Sequence, residues 1–218
     1  PYTTLFRSME ITMMKTKVVI AGGTGFVGQG IIQQLDPTQY DVHSLSRHVH
    51  QSTADDKTTY HVIDLSDTPS LSVIIQDADW VIDAVGILLP NPIKKQNYQN
   101  SSYAPAKYLI DALLTAPNTK LLFISANGGP FFMSPYLNTK KAVEARMRTL
   151  LPERTYIVYP GIIFDKTRLS SYFPGRILSR LGGIQYFKKL RPISRQAFAI
   201  EIAQILSGTS SALEKRLD

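Results

Sequence analysis

Cysteine is absent from this sequence of 218 residues. The chain therefore forms no disulfide, offers no thiolate ligand to a metal and carries no cysteine nucleophile. Long apolar runs are missing too: residues 80–89 are interrupted by Asp83 and fall short of the roughly 20 residues that span a bilayer. These absences favour a cytoplasmic protein, with contact at a membrane surface left open. We also predict no metal site, because the histidines are not spaced with acids as metal ligands are; they are His43, His48, His50 and His61.

Acidic residues are outnumbered by basic ones, 17 to 24, which gives a net charge of +7. The imbalance is greatest over residues 166–195, where eight Lys or Arg residues alternate with apolar ones and no Asp or Glu occurs. Three interpretations of this segment stay open: a solvated face, a lid over a substrate, or a peripheral contact with an anionic membrane. We expect no nucleic-acid partner, because the sequence contains no recognised nucleic-acid-binding module.

Residues 17–28, KVVIAGGTGFVG, combine a Val- and Ile-rich strand, a glycine turn and the start of an apolar-periodic helix. The backbone amides of such a turn and the positive end of the helix dipole attract a phosphate group. We expect Gly22 to form the tight turn, Gly25 to admit the pyrophosphate, and Gly28 to let the helix pack on the strand. The stretch therefore predicts a dinucleotide site.

Strands and helices alternate along the chain to about residue 160, which predicts an α/β fold with a doubly wound parallel sheet. We predict strands at residues 17–21, 40–45, 59–63, 79–84, 120–125 and 155–159. Helices are expected from residue 26, at 69–76 with Thr68 as N-cap, at 98–115, at 135–151 and at 195–207. Residues 1–12 are interpreted as a non-native or disordered leader, 13–165 as the core, and 166–218 as a short C-terminal substrate-side region.

Ligands of such sheets bind at the carboxyl ends of the strands, so the residues that follow each strand are candidates. An acidic residue at the end of the second strand favours NAD, because its carboxylate binds the 2′-hydroxyl of the ribose. An arginine at the same position favours NADP, because it binds the 2′-phosphate. This chain has Ser46 and Arg47 and no acid. We therefore favour NADP, with NAD as the alternative. Asp64, after strand three, is either an adenine-binding residue or a turn residue.

Tyr136 and Lys140 lie four residues apart and therefore share one face of the predicted helix. A nearby ammonium, together with the positive nicotinamide of a bound cofactor, can lower the pKa of a phenol, and the phenol can then exchange the proton that accompanies hydride transfer. We expect Tyr136 to be the catalytic acid or base. Lys140 would tune the phenol and bind a ribose, unless the pair is only an ordinary first helical turn.

Together these motifs resemble the short-chain dehydrogenase/reductase superfamily. The likeness rests on GGTGFVG from Gly22, on Ser125 at the end of strand five, on YLNTKKAVE from Tyr136 and on Pro160-Gly161. Further blocks are similar to atypical, extended-like members, which include epimerase/dehydratase and NmrA-like proteins; these blocks are GILLPNP, FISANGG, YPGIIFDKTR and RPIS. Within that group the chain looks most like the NAD(P)-binding proteins linked to coenzyme Q biosynthesis and the accessory-subunit type of respiratory complex I. A Rossmann fold is the architecture that the resemblance implies.

The resemblance implies that Ser125 and Asn127 belong to the catalytic set with Tyr136 and Lys140. Asn127 stands where active members carry a serine or threonine, and Tyr159 replaces their usual arginine. Asn100 matches the asparagine of their fourth helix. The full set of expected cofactor-binding residues is Gly22, Thr24, Gly25, Phe26, Val27, Gly28, Ser46, Arg47, Asp64, Leu65, Ala84, Val85, Gly86, Asn100, Ser125, Tyr136, Lys140, Pro160 and Ile162.

Two functions remain compatible with the sequence. One is an NADP(H)-dependent oxidoreductase that acts on a carbonyl or alcohol of a small, quinone-like substrate. The other is a non-catalytic dinucleotide-binding sensor or assembly subunit of a quinone or respiratory complex. An oligomer is compatible with both, because in this superfamily the helices after strands four and five often pair between subunits.

Overall fold

The computed structural model describes residues 14–129, 133–165 and 191–217. The expected leader at residues 1–12 and most of the basic segment at 166–195 lie outside these ranges. Six parallel strands form one sheet in the order β3-β2-β1-β4-β5-β6. The strands are β1 (Thr16–Ala21), β2 (Tyr40–Ser46), β3 (Thr59–Val62), β4 (Trp80–Asp83), β5 (Lys120–Ile124) and β6 (Thr155–Val158). This order confirms the predicted doubly wound Rossmann-type fold.

Helices cover both faces of the sheet, because alternate strand residues point to opposite sides. On one face Val19, Val81 and Phe123 pack in a core with α2 (Thr68–Ile75), α3 (Ala104–Leu113) and α4 (Ser134–Leu150). On the other face Ile20 and Ile82 pack with α1 (Phe26–Gln34) and α5 (Arg195–Leu206). The central strands β1, β4 and β5 are therefore buried on both sides, whereas the edge strand β3 is partly exposed.

The end of the described chain folds back onto this core. A short parallel pair, β7 (Ile163–Phe164) with β8 (Ile193–Ser194), precedes α5, and the Ser194 hydroxyl caps that helix by accepting the Ala197 amide at 3.1 Å. A 3₁₀ turn, Ala212–Glu214, follows α5. The division of the chain at residues 12 and 165 stays a prediction. Among the described helices, none is long and apolar enough to cross a membrane.

Two local expectations need correction. The N-cap of α2 is Asp67 rather than Thr68: the Asp67 carboxylate accepts the Ser70 amide, and Thr68 is already helical. The helix predicted over 98–115 is a π-helical turn, Gln99–Tyr103, followed by α3. Pro105 lies in the first turn of α3 and has no N–H group, so regular α-helical bonding cannot continue through it from the preceding turn.

Candidate functional site

The glycine turn between β1 and α1 has the geometry of a phosphate cradle. Gly22 has a φ of +79°, which side chains disfavour, and its carbonyl accepts the Gly25 amide at 2.9 Å. A Cβ atom at Gly25 would lie 3.1 Å from that carbonyl, and one at Gly28 would lie 2.6 Å from the Cα of Gly23. The predicted tight turn and the close helix packing are confirmed, and the expected role of Gly25 in admitting a pyrophosphate stays a prediction.

A cavity of about 510 Å³ opens from this turn along the carboxyl ends of the strands. The ends of β1, β2, β3 and β4 and the start of α3 line it. The structure brings together here eleven of the expected cofactor-binding residues: Gly22, Thr24, Gly25, Ser46, Arg47, Asp64, Leu65, Ala84, Val85, Gly86 and Asn100. A cavity that spans the ends of four strands suits a dinucleotide.

Arg47 is exposed and lines the cavity directly after β2. The acidic residue that would favour NAD at this strand end is absent, since Ser46, Arg47 and His48 stand there. The hydroxyl of its neighbour Ser46 donates to the His48 carbonyl at 2.7 Å. Across the cavity, Asp64 accepts the amide and the hydroxyl of Ser66 at 2.9 and 2.7 Å. These bonds, with a smaller contribution from Arg47, lower the pKa of Asp64. One Asp64 oxygen is thus used in a turn.

A second cavity, of about 140 Å³, adjoins the first and shares the wall that follows β4. Ser125, Tyr136 and Lys140 line it together with Val27 and Pro160. The predicted catalytic tyrosine and lysine therefore lie beside the cleft that the glycine turn opens. Asp83, the last residue of β4, also lines this cavity, although sequence reasoning did not assign it a role.

The Lys140 ammonium is buried and donates to the Ile124 carbonyl at 2.7 Å. It lies 4.5 Å from the centre of the Phe123 ring and 5.8 Å from that of Tyr136. Burial lowers the pKa of Lys140, while the carboxylates of Asp83 and Glu144 oppose that shift. The ammonium is therefore held at the cavity wall by the backbone rather than by the phenol.

In the chain alone, burial raises the pKa of Tyr136 to about 12, with a further contribution from Tyr98, whose ring centre is 6.0 Å away. The physical reason for this direction is that removing water from a phenolate is costly. At neutral pH the phenol of the chain alone therefore carries its proton. The lowering expected from Lys140 together with a bound nicotinamide stays a prediction.

Ser125 and Asn127 are both buried, and the structure gives each a protein partner. The Ser125 hydroxyl donates to the carboxylate of Glu144, which also accepts the Arg216 guanidinium at 2.6 Å. The Asn127 side-chain oxygen accepts the Leu217 amide at 2.6 Å. Asn127 lines neither cavity, and its predicted role as a carbonyl donor stays a prediction.

Three more expected cofactor-binding residues line neither cavity. The Phe26 ring stacks with the Arg195 guanidinium at 5.2 Å, Gly28 packs on the turn, and the Ile162 carbonyl accepts the Ile193 amide at 3.0 Å. Sequence reasoning missed ten lining residues of the larger cavity, namely Leu45, His48, Ile63, Ser66, Ile87, Gln96, Ser101, Ala104, Pro105 and Tyr108. The strand-end rule could have found those after β2 and β3, whereas those of residues 96–108 depend on how the loop after β4 folds.

The sheet order, the glycine cradle and the cleft at the strand ends define a Rossmann-type dinucleotide-binding protein. Residues 18–129 match the NAD dependent epimerase/dehydratase family, and the chain belongs to that family. This result confirms the family that the sequence motifs indicated. In the described parts of the chain, no group of three His, Cys, Asp or Glu side chains is placed to hold a metal ion.

One curated relative matches the chain in sequence, and two of the solved structures that match it share its fold. The chain is 26% identical over 208 residues to MIOREX complex component 2 of Saccharomyces cerevisiae, covering 71% of this chain and 75% of that protein. The UDP-N-acetylglucosamine 4-epimerase of Bacillus cereus matches with a TM-score of 0.64 at 16% identity, over 90% of this chain and 74% of the enzyme. The Bordetella bronchiseptica enzyme WbmF, solved with NADH, matches with a TM-score of 0.65 at 14% identity, over 90% and 70%.

Proposed function

We propose that the protein binds NADP(H) in the larger cavity and reduces a carbonyl of a small molecule held in the smaller one. The observation that carries this proposal is the wall after β4, Ala84 to Ile87, which lines both cavities and so places them side by side. The residues present fit a dinucleotide, because Gly22, Thr24 and Gly25 of the glycine turn line this cavity at the start of α1. Solved structural neighbours that contain NAD or NADH support the nicotinamide class of cofactor.

Different residues of the chain would bind the cofactor and transfer the proton. Gly22, Thr24 and Gly25 would hold the pyrophosphate, and Arg47 would contact a 2′-phosphate. The bound cofactor would supply a hydride. The Tyr136 hydroxyl would donate a proton to the carbonyl oxygen of the substrate, a role that suits a phenol whose pKa of about 12 keeps it protonated at neutral pH.

The substrate class is constrained by the smaller cavity. At about 140 Å³ it accepts a small group, and Val27, Ile87, Leu88 and Ile163 give it an apolar wall. This lining favours an apolar carbonyl compound, of which a quinone ring is one example, over a bulky charged sugar. Structural neighbours solved with UDP-glucose or UDP-glucuronic acid make a nucleotide sugar the alternative to be tested.

Cofactor choice is tested by titrating the chain with NADPH and with NADH and following nicotinamide fluorescence. Arg47→Ala should weaken NADPH binding on the order of tenfold or more, because a charge-assisted phosphate contact is lost, and should change NADH binding little. An equal loss for both nucleotides would exclude a 2′-phosphate contact by Arg47.

Turnover is tested with Tyr136→Phe, and Tyr98→Phe serves as the matched control because its ring centre lies 6.0 Å from that of Tyr136 and it lines neither cavity. Over a panel of carbonyl compounds, quinones and UDP-sugars, Tyr136→Phe should abolish NADPH oxidation and leave NADPH binding intact. Tyr98→Phe should retain most of the activity. Equal activity of wild type and Tyr136→Phe would rule out the proposed proton donor.

A second function is favoured by a specific observation: the Ser125 hydroxyl and the Asn127 amide, which resemble catalytic groups, are bonded to Glu144 and Leu217. Polar side chains that hydrogen-bond within the protein in this way suit a dinucleotide-binding subunit that does not catalyse a reaction. The likeness to a protein described as a MIOREX complex component supports that alternative. It predicts NADPH binding without NADPH oxidation on the whole panel, and co-purification of the chain with a larger assembly that Tyr136→Phe leaves unchanged.

A further inference from the structure

The loop after β4 forms a well-bonded hairpin at the mouth of the cleft. We call residues 88–96 the rim hairpin. Asn91 and Gln96 exchange two backbone hydrogen bonds of 2.9 Å, and the Lys95 amide donates to the Pro92 carbonyl at 3.0 Å. The Asn91 side chain accepts the Lys94 amide at 3.1 Å, and the Asn100 side chain donates to the Lys95 carbonyl at 2.8 Å. These bonds fix the backbone of the tip.

This ordered hairpin presents large apolar side chains to solvent. Ile93, at the tip, is 95% exposed, and Leu88 and Leu89, at the base, are 60% and 62% exposed. Exposing apolar surface to water is unfavourable, and a bonded backbone prevents these side chains from turning inward. Three such residues on one short hairpin indicate a surface that is covered when the protein functions.

The charge around these side chains is of one sign. Lys94 and Lys95 follow Ile93 directly, and the sequence contains no Asp or Glu between Asp83 and Asp111. Within the described parts of the chain neither lysine forms an ion pair. A partner must therefore offer an apolar interior behind a negatively charged surface. A second copy of the chain would bring two basic hairpins together and is disfavoured by their repulsion.

We propose that the rim hairpin docks the protein on an anionic phospholipid bilayer. Ile93 enters the boundary between headgroups and acyl chains, Leu88 and Leu89 follow at the surface, and Lys94 and Lys95 contact lipid phosphates. Leu88 also lines the smaller cavity and Gln96 the larger one, so docking places the mouth of the cleft at the membrane surface. The inference goes beyond the proposed function and holds whether or not the site turns over.

The test is co-sedimentation of the full chain with vesicles of phosphatidylcholine alone and with phosphatidylglycerol added. Binding should require the anionic lipid and weaken with salt. The Lys94→Ala/Lys95→Ala double variant should bind roughly 20- to 30-fold more weakly, from about fivefold per lysine. Ile93→Ser should lose on the order of tenfold. Far-ultraviolet circular dichroism and the thermal midpoint should stay unchanged, because these side chains are exposed.

Matched controls separate the hairpin from general basicity. Lys15→Ala removes an exposed lysine that precedes β1, at the opposite edge of the sheet, and Val73→Ser removes a 66% exposed apolar side chain on α2. Both should bind vesicles like wild type. Vesicle binding that the hairpin variants do not weaken would overturn the proposal and assign the contact to another segment. Absence of binding to anionic vesicles, or a change of oligomeric state in Ile93→Ser without vesicles, would overturn it as well.

Discussion

The Asp83 carboxylate and the Lys140 ammonium are both buried at the carboxyl edge of the sheet, and each stabilises the charge of the other. Asp83 is paired in register with Phe123, and the Lys140 ammonium lies over the Phe123 ring. Among the described residues, one Asp83 oxygen has no hydrogen-bond partner; the other accepts the Val85 amide at 3.0 Å. The negative charge of Asp83 thus stabilises the ammonium of the predicted catalytic residue Lys140.

The pH dependence of stability should reveal this carboxylate. Burial raises the pKa of Asp83 from 3.8 to about 6, against the opposing effect of Lys140. A folded chain that holds its proton more tightly than the unfolded chain loses stability as pH rises from about 4 to 6, by roughly 3 kcal/mol for this pKa difference. In urea unfolding of the ligand-free protein, Asp83→Asn should therefore become more stable relative to wild type over that range.

Comparing the two proteins at each pH cancels the contributions of other groups, including His61, whose pKa burial lowers. Asp55→Asn, on an exposed loop, is the control and should follow wild type throughout. A difference between Asp83→Asn and wild type that stays constant from pH 4 to 7 would show that Asp83 ionises as it does in water.

Arg216 is expected to stabilise the fold through Glu144. The Glu144 carboxylate is buried and binds the Arg216 guanidinium at 2.6 Å, the Ser125 hydroxyl and the Tyr159 hydroxyl at 3.3 Å. Arg216→Met should lower the free energy of unfolding by about 2 kcal/mol, because it leaves a buried carboxylate short of its charged partner. Lys215→Met, one residue earlier and exposed, should change it by less than about 0.5 kcal/mol.

A double-mutant cycle measures whether the two residues act together. If Arg216 works through the carboxylate, Arg216→Met should cost much less in a Glu144→Gln background, with a coupling energy of about 1 kcal/mol or more. Independent, additive costs would contradict the pairing.

A third prediction follows from the close packing of α1 on the glycine turn. A Cβ at Gly28 would lie 2.6 Å from the Cα of Gly23, and neither backbone segment can move without shifting β1 or α1. Gly28→Ala should therefore lower the free energy of unfolding by about 1–3 kcal/mol. Gln33→Ala, at an exposed position of the same helix, should be neutral or slightly stabilising. Chemical denaturation of the two variants measures both effects, and a neutral Gly28→Ala would show that the turn relaxes.

Local sequence patterns predicted the sheet and the glycine turn because both depend on short-range rules. The apolar runs predicted all six strands of the sheet to within one residue at each end, and the glycine spacing predicted the turn that Gly22 forms. Residues at strand ends were found for the same reason: parallel strands carry their carboxyl ends to one edge.

The contacts that sequence reasoning missed are long-range. Asn127 meets Leu217 across 90 residues, and Glu144 meets Arg216 across 72, so no local spacing connects them. The pKa of Tyr136 is raised by burial and, to a smaller extent, by Tyr98. Tyr98 comes near Tyr136 only when the segment after β4 has folded. Asp83 was recognisable in the sequence as an acidic residue inside an apolar strand. In the structure it is a buried ionisable group at the site.

The central claim is that the cleft beside the glycine turn holds one nicotinamide dinucleotide. Its most direct test is calorimetric titration with NADPH of wild type and of Gly25→Val, whose added side chain would fill the cradle 3.1 Å from the Gly22 carbonyl. The account predicts one NADPH per wild-type chain and loss of that binding in Gly25→Val, with the variant still folded by circular dichroism. Equal NADPH binding by both proteins, or binding of neither NADPH nor NADH by wild type, would contradict it.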